Sequence, residues 1–85
     1  MYFVYVLYSE KVRRYYIGSS KDVEQRLAQH NSGMMRPTRP LRPWQLVYTE
    51  AHETLVEARR RELQIKSWKS PVYMERVLGL AAQVK

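Results

Sequence analysis

"MYFVYVLYSEKVRRYYIG" (Met1–Gly18) decides how the rest of the chain folds. Its first eight residues are apolar or aromatic without a break, which suits a strand covered on both faces. Side chains alternate along a strand, so Phe3, Tyr5 and Leu7 line one face, and Tyr2, Val4, Val6 and Tyr8 the other. The polar "SEKVR" is a turn, and "RYYIG" (Arg14–Gly18) returns as the second strand of an antiparallel hairpin. Gly18 ends that strand, where the backbone can turn sharply or come close to a ligand.

Working outward, Ser19 or Ser20 is the expected cap of a helix over Lys21–His30, with Asp22 in its first turn. Asn31-Ser32-Gly33 stops that helix with left-handed formers. "MMRPTRPLRP" (Met34–Pro43) is excluded from helix and central strand by its prolines. "WQLVYTE" (Trp44–Glu50) alternates as a third strand. Thr54 and Glu57 form a capping box for a helix running to about Trp68. Ser70-Pro71 opens a last helix whose apolar stripe is Tyr73, Val77, Leu80, Ala81 and Val84. The order β-β-α-β-α-α predicts an α+β fold: a small three-stranded antiparallel sheet flanked by helices, one domain over residues 1–85.

Fifteen Lys and Arg against eight Asp and Glu give a net charge of +7, which points to a polyanionic partner, most commonly nucleic acid. No helix sets a clean cationic face against a bulky apolar one, which argues against a membrane surface. The absence of cysteine excludes disulfides and thiolate metal sites and fits a reducing cytoplasm. Neither a spanning apolar run nor a signal-peptide pattern is present, so a soluble, cytoplasmic protein is expected.

Two polar intrusions break the helical patterns. Taken at roughly 100° per residue from Val23, Leu27 falls near 40°, His30 near 340° and Arg26 near 300°. Arg26 and His30 therefore share a face with the apolar residues and, four apart, point together. Either the Arg snorkels and the His caps nearby backbone, or both face a ligand. In the next helix, taken at roughly 100° per residue from Leu55, Glu62 falls near 340°, between Ala58 near 300° and Lys66 near 20°. A carboxylate in that stripe needs a cation or donors. Either Lys66 supplies the cation at the stripe's margin, or Glu62 is a metal ligand at a shallow site.

Taken with the tyrosine hairpin that ends in Gly18, these intrusions suggest one shared pocket suited to phosphodiester chemistry. A guanidinium neutralises the phosphate as charge builds. A hard cation binds through one or two carboxylates, with water and substrate oxygens completing its shell. A basic group takes a proton from the attacking water, which a tyrosine hydroxyl can orient. Outside the pocket, "RPTRPLRP" repeats arginine every third residue. In an extended polyproline helix, with a turn of about 9 Å, Arg36, Arg39 and Arg42 would form a comb along a phosphate backbone. The same stretch also reads as a flexible, solvated loop. No helix is built to read a groove, so shape rather than base sequence is the expected basis of recognition.

These residues resemble the GIY-YIG nuclease family, in particular its small stand-alone bacterial branch. "FVY" (Phe3–Tyr5) corresponds to the first motif and "YIG" (Tyr16–Gly18) to the second. The family's arginine ten residues after the second-motif tyrosine is Arg26. A His or Tyr four residues further on is His30. The family glutamate of the following helix is Glu62, in "EARRRELQIKSW". The resemblance implies a three-stranded antiparallel sheet with helices around it, and cleavage of DNA phosphodiesters that depends on Mg²⁺ or Mn²⁺. It assigns Tyr16 as base or water-orienting group, Tyr5 as holding the water or phosphate, Arg26 as stabilising the phosphorane, Glu62 as metal ligand and His30 as assisting proton transfer. Gly18, Ser19 and Lys66, with the arginine comb, fall to substrate binding. Phe3 replaces the first motif's glycine, Ser19 stands where some members have lysine, and the chain's one asparagine, Asn31, precedes the glutamate helix that the family asparagine follows. The implied activity is an endonuclease acting on DNA, or RNA, of branched or damaged form, with a protein partner supplying specificity. The alternatives are a nucleic-acid-binding module on the same fold and a protein-interaction domain.

Overall fold

The computed structural model describes residues 1–80. Strand β1 (Tyr2–Ser9) lies between β2 (Arg14–Ser20) and β3 (Gln45–His52) in an antiparallel sheet of order β2-β1-β3. Helices α1 (Val23–Ser32), α2 (Leu55–Ser67) and α3 (Pro71–Leu78) complete the expected β-β-α-β-α-α order. As the central strand, β1 has apolar residues on both faces, and Val4, Tyr5, Val6 and Leu7 are all fully buried. The alternation along β1 splits the core in two. Tyr5 and Leu7 pack with Trp44, Val23 and Leu27 under α1. Val4, Val6 and Tyr8 pack with Ala58 and Ile65 of α2, Met74 of α3, and Leu80.

The capping box at Thr54 and Glu57 is present in both directions, and Gly33 closes α1 in the left-handed region at φ 85°. Three expectations are corrected. The cap of α1 is Asp22, whose Oδ1 accepts from Gln25 N at 3.0 Å, rather than Ser19 or Ser20. The ladder with β1 pairs both serines, Val4 with Ser19 and Phe3 with Ser20, so the extended backbone continues past them.

The last helix is also shorter than its stripe. Gly79, at φ 71°, ends α3 at Leu78, and the Leu80 N–H returns to Glu75 O at 2.8 Å. Leu80 is buried as expected. The residue that α3 itself buries is Met74, while Tyr73 and Val77 stay about half exposed. Ala81 and Val84 lie outside the described residues.

The proline-rich stretch contains a 3-10 helix, Arg36–Leu41. Pro37 sits in its first turn, where an N–H would have no partner anyway. Thr38 N and Arg39 N both bond Met35 O. Proline forbids the interior of a long helix, yet a 3-10 segment of six residues, about two turns, holds both Pro37 and Pro40. The extended comb is therefore absent. A 3-10 turn advances about 6 Å where polyproline would advance about 9 Å. In addition, Arg39 Nε is tied to Gly33 O at 2.7 Å and Arg42 Nε to Arg39 O at 2.8 Å.

Candidate functional site

Because β2 is an edge strand, helices on opposite faces of the sheet can reach around it towards each other. α1 brings Arg26 from one face and α2 brings Glu62 from the other. They meet over Tyr16, Gly18 and Ser19, with Arg59 closing the rim, around a cavity of about 360 Å³. The exposed Leu63 is its apolar wall. The cavity thus gathers five of the expected residues: Tyr16, Gly18, Ser19, Arg26 and Glu62.

Glu62 is aimed by both edges of the sheet. Its neighbour Arg61 donates from Nε to Glu50 Oε2 on β3 at 3.0 Å, while Glu62 Oε1 accepts from Ser19 Oγ on β2 at 2.7 Å. Consecutive residues of a helix diverge by about 100°, so these two ties fix the rotation of α2. Glu50 is itself gripped by Tyr48 and His52. Burial pushes its carboxyl up, but the hydrogen bonds from Tyr48, His52 and Arg61 outweigh it and hold the group below the usual carboxylate range. The other Glu62 oxygen accepts from Lys66 Nζ at 2.5 Å, so the pair read from the sequence exists, and its acid member borders the cavity.

Tyr5 and His30 lie behind the cavity rather than in it, both fully buried. Tyr5 pairs across the ladder with Gly18, and a Cβ built on Gly18 would lie 2.6 Å from the Tyr5 hydroxyl. Glycine is therefore required so that the phenol can cross the strand towards Arg26. The Tyr5 hydroxyl lies 3.3 Å from His30 Nε2, and the His30 ring is 4.6 Å from that of Tyr16. Burial pushes the Tyr5 phenol up by more than the adjacent Arg26 draws it down, so Tyr5 is a protonated donor at neutral pH. The phenol beside Arg26 keeps the guanidinium charged more strongly than burial opposes it. Arg26 Nε is buried and has no hydrogen-bond partner among the described residues. An orphan donor on a charged group is costly in a finished core, and this one lies beside the cavity.

Burial, reinforced by Arg26, holds His30 below its ordinary value. The unfolded chain takes up a proton on this imidazole as pH falls through about 6.5, and the folded chain does so only at lower pH. The stability that comes from a neutral His30 is thus complete above about pH 7 and is lost as pH falls below it. Glu50, held low, adds a further loss in more acid solution, as pH falls through its folded value. Urea unfolding midpoints should fall between pH 7 and pH 5, and His30→Gln should flatten that part of the profile.

The remaining expected residues lie elsewhere. Arg39 and Arg42 line a second hollow of about 340 Å³ with Lys11, and Arg36 is exposed, away from both. Sequence reading missed three parts. Arg59 was indistinguishable from its two arginine neighbours, Glu50 gave no signal that it would brace α2, and Thr38, within bonding distance of His30 Nδ1, gave none at all.

Among the described residues no helix is long and apolar enough to cross a membrane. A family model described as the GIY-YIG catalytic domain matches residues 1–76. Over 54 residues the chain is 44% identical to a UPF0213 protein of Staphylococcus saprophyticus, an alignment covering 62% of this chain and 66% of that one. A UPF0213 protein of Staphylococcus aureus matches with the same identity and coverage. The alignment thus spans just under two thirds of these relatives' length. The solution NMR structure of a UPF0213 protein from Bacillus halodurans is similar at a TM-score of 0.59 and 32% identity, over 98% of this chain and 88% of that one. With Tyr16 and Gly18 of the second motif, Arg26 and Glu62 gathered at one cavity, and with the family match over most of its length, the chain belongs to the GIY-YIG catalytic-domain family, a nuclease family.

Proposed function

We propose that this chain is a metal-dependent endonuclease that hydrolyses DNA phosphodiesters, acting on branched or damaged DNA. The observation that carries this reading is the unpartnered, buried Arg26 Nε beside a cavity whose opposite wall is Glu62. A phosphate in the cavity would accept from Arg26, and the guanidinium would stabilise the charge that builds on its oxygens. Tyr16 would orient the attacking water. Tyr5, protonated and sealed in, would brace Arg26 from behind, and His30 would steady Tyr5 and any proton passing through it.

Glu62 fits Mg²⁺ or Mn²⁺ as a single hard oxygen ligand at an open site, the kind that leaves water and substrate oxygens to complete the shell. Bound there, the ion would supply charge neutralisation and an activated water. Both Glu62 oxygens are occupied by other partners, so Lys66 has to yield, which its exposed position makes cheap. Lys66→Ala is expected to tighten Mn²⁺ binding about threefold, measured by calorimetry, because a competing cation at the carboxylate is gone.

The second hollow is the better candidate for holding the rest of the substrate. Lys11, Arg39 and Arg42 gather there, and among the described residues none has a carboxylate within ion-pair distance. If four to six phosphates are neutralised in all, log K against log salt should fall with a slope of about −4 to −5. Arg39→Gln with Arg42→Gln should make that slope shallower by about 2. The open, shallow cavity supports recognition of DNA shape, with a protein partner adding specificity.

The test is incubation with labelled branched, flapped and duplex DNA, and with matching RNA, in Mg²⁺ or Mn²⁺. Cleavage of a DNA substrate that chelation abolishes supports the proposal. Salt-sensitive binding without cleavage under any ion supports the binding-module reading instead. That reading has one observation in its favour: the chain's one asparagine, Asn31, precedes the glutamate helix, and its amide is engaged with the Trp44 backbone.

A further inference from the structure

The 3-10 turn touches the site from behind at one residue. Thr38 is 3% exposed in a segment that is otherwise mostly open to solvent. Its Oγ1 lies 3.2 Å from Met35 O, to which it donates, and 2.9 Å from His30 Nδ1. A hydroxyl has one proton. Once that proton is given to a carbonyl, Oγ1 can only accept, so the hydrogen of the imidazole is on Nδ1. A neutral imidazole then leaves Nε2 bare, and the Tyr5 hydroxyl, 3.3 Å away, donates to it. The lone pairs of the Tyr5 oxygen are left for the guanidinium beside it. Every hydrogen bond in this buried series points one way, from Tyr5 through His30 and Thr38 to the Met35 carbonyl, and the Arg26 guanidinium lies beside the Tyr5 oxygen at its head.

We propose that Thr38 is a positioning residue: its hydroxyl sets the His30 tautomer, and through Tyr5 it holds Arg26 turned to the cavity. Its part in catalysis rests on the proposed nuclease reading, but its part in the hydrogen-bond series does not. The opposite arrangement is chemically sound. Thr38 could donate to Nδ1, Nε2–H to Tyr5, and the phenol proton would be free to point away. The two arrangements differ in which ring nitrogen carries hydrogen, and that is observable.

Long-range ¹H–¹⁵N spectra of His30 in the full chain should show the Nδ1–H tautomer. In Thr38→Val, which keeps the shape and removes the acceptor, the His30 nitrogens should shift towards the Nε2–H form. The Arg26 Nε–H resonance should move as well, although Thr38 reaches it only through two other side chains. Thr38→Ser should restore both signals. Nε2–H in the unaltered protein would overturn the proposal, and so would a Thr38→Val protein in which neither signal moves. The tautomer is read without any variant, so a poorly folding Thr38→Val leaves the proposal exposed to refutation. On a cleaved DNA, Thr38→Val should lower kcat about tenfold with KM within twofold, and Thr38→Ser should recover it. If the chain cuts nothing, the nuclease reading fails while the spectra still decide the hydrogen-bond series.

Discussion

Arg26→Ala is expected to slow cleavage of a flapped or branched DNA by about 100- to 1,000-fold, the range seen when one preorganised donor to a developing oxyanion is removed. The folded protein should be no less stable. Arg26 Nε is buried without a partner, so its removal deletes an unsatisfied donor along with the packing of the stem. Loss of activity with an unchanged or raised melting temperature distinguishes a substrate-facing arginine from a structural one. Arg26→Lys should recover little, because an ammonium cannot present the planar fork of a guanidinium. Glu62→Gln should also be severely impaired, since a bound Mg²⁺ or Mn²⁺ would lose its one protein carboxylate. Single-turnover rates at saturating DNA are the appropriate measurement. Cleavage by Arg26→Ala within tenfold of the unaltered protein would remove the assignment.

Gly18→Ala should be the most damaging small substitution in the sheet. The new methyl would lie 2.6 Å from the Tyr5 hydroxyl oxygen and 2.7 Å from Cζ. The ring cannot swing aside, because Tyr5 is fully buried and its hydroxyl is held against His30. Overpacking of this kind costs about 1–3 kcal/mol. For a domain of this size each kcal/mol lowers the melting temperature by about 4–8 °C. Tyr5→Phe in the same chain should recover part of the loss and not all of it, since Cζ stays in the way. Thermal melts of the two single variants and the double variant measure the coupling. Simple additivity would mean that the phenol does not pack on Gly18.

Most of the fold was legible because the signals that set it are local. The unbroken apolar run of β1 requires a central strand, and Thr54 with Glu57 fixes where α2 begins. The direction of Arg26, His30 and Glu62 was also legible, since it needs only the helical period. Depth was not. A helical wheel places His30 on the inner face, but it cannot tell that Tyr5 and His30 are sealed while Tyr16 and Arg26 open onto the cavity. That depends on how closely α1 approaches β2. The ladder decided where α1 starts, because paired serines keep an extended backbone, and a glycine within an apolar stripe ended α3 early. The 3-10 turn at Arg36–Leu41 was not legible from its prolines, since a short segment of that kind tolerates what a long helix does not. Thr38 had no local signature, because its partner lies eight residues away across a loop.

Arg26 and Glu62 ride on helices that cover separate cores, one beneath α1 and one beneath α2 and α3. Neither layer alone holds a competent pair. If α2 shifts on the sheet, as loss of its Arg61–Glu50 and Glu62–Ser19 ties would allow, the acid parts from the guanidinium with both side chains chemically intact. The spacing of acid and guanidinium is therefore a gauge of global integrity: whatever slides one layer against the other would undo the site without touching a single reactive group.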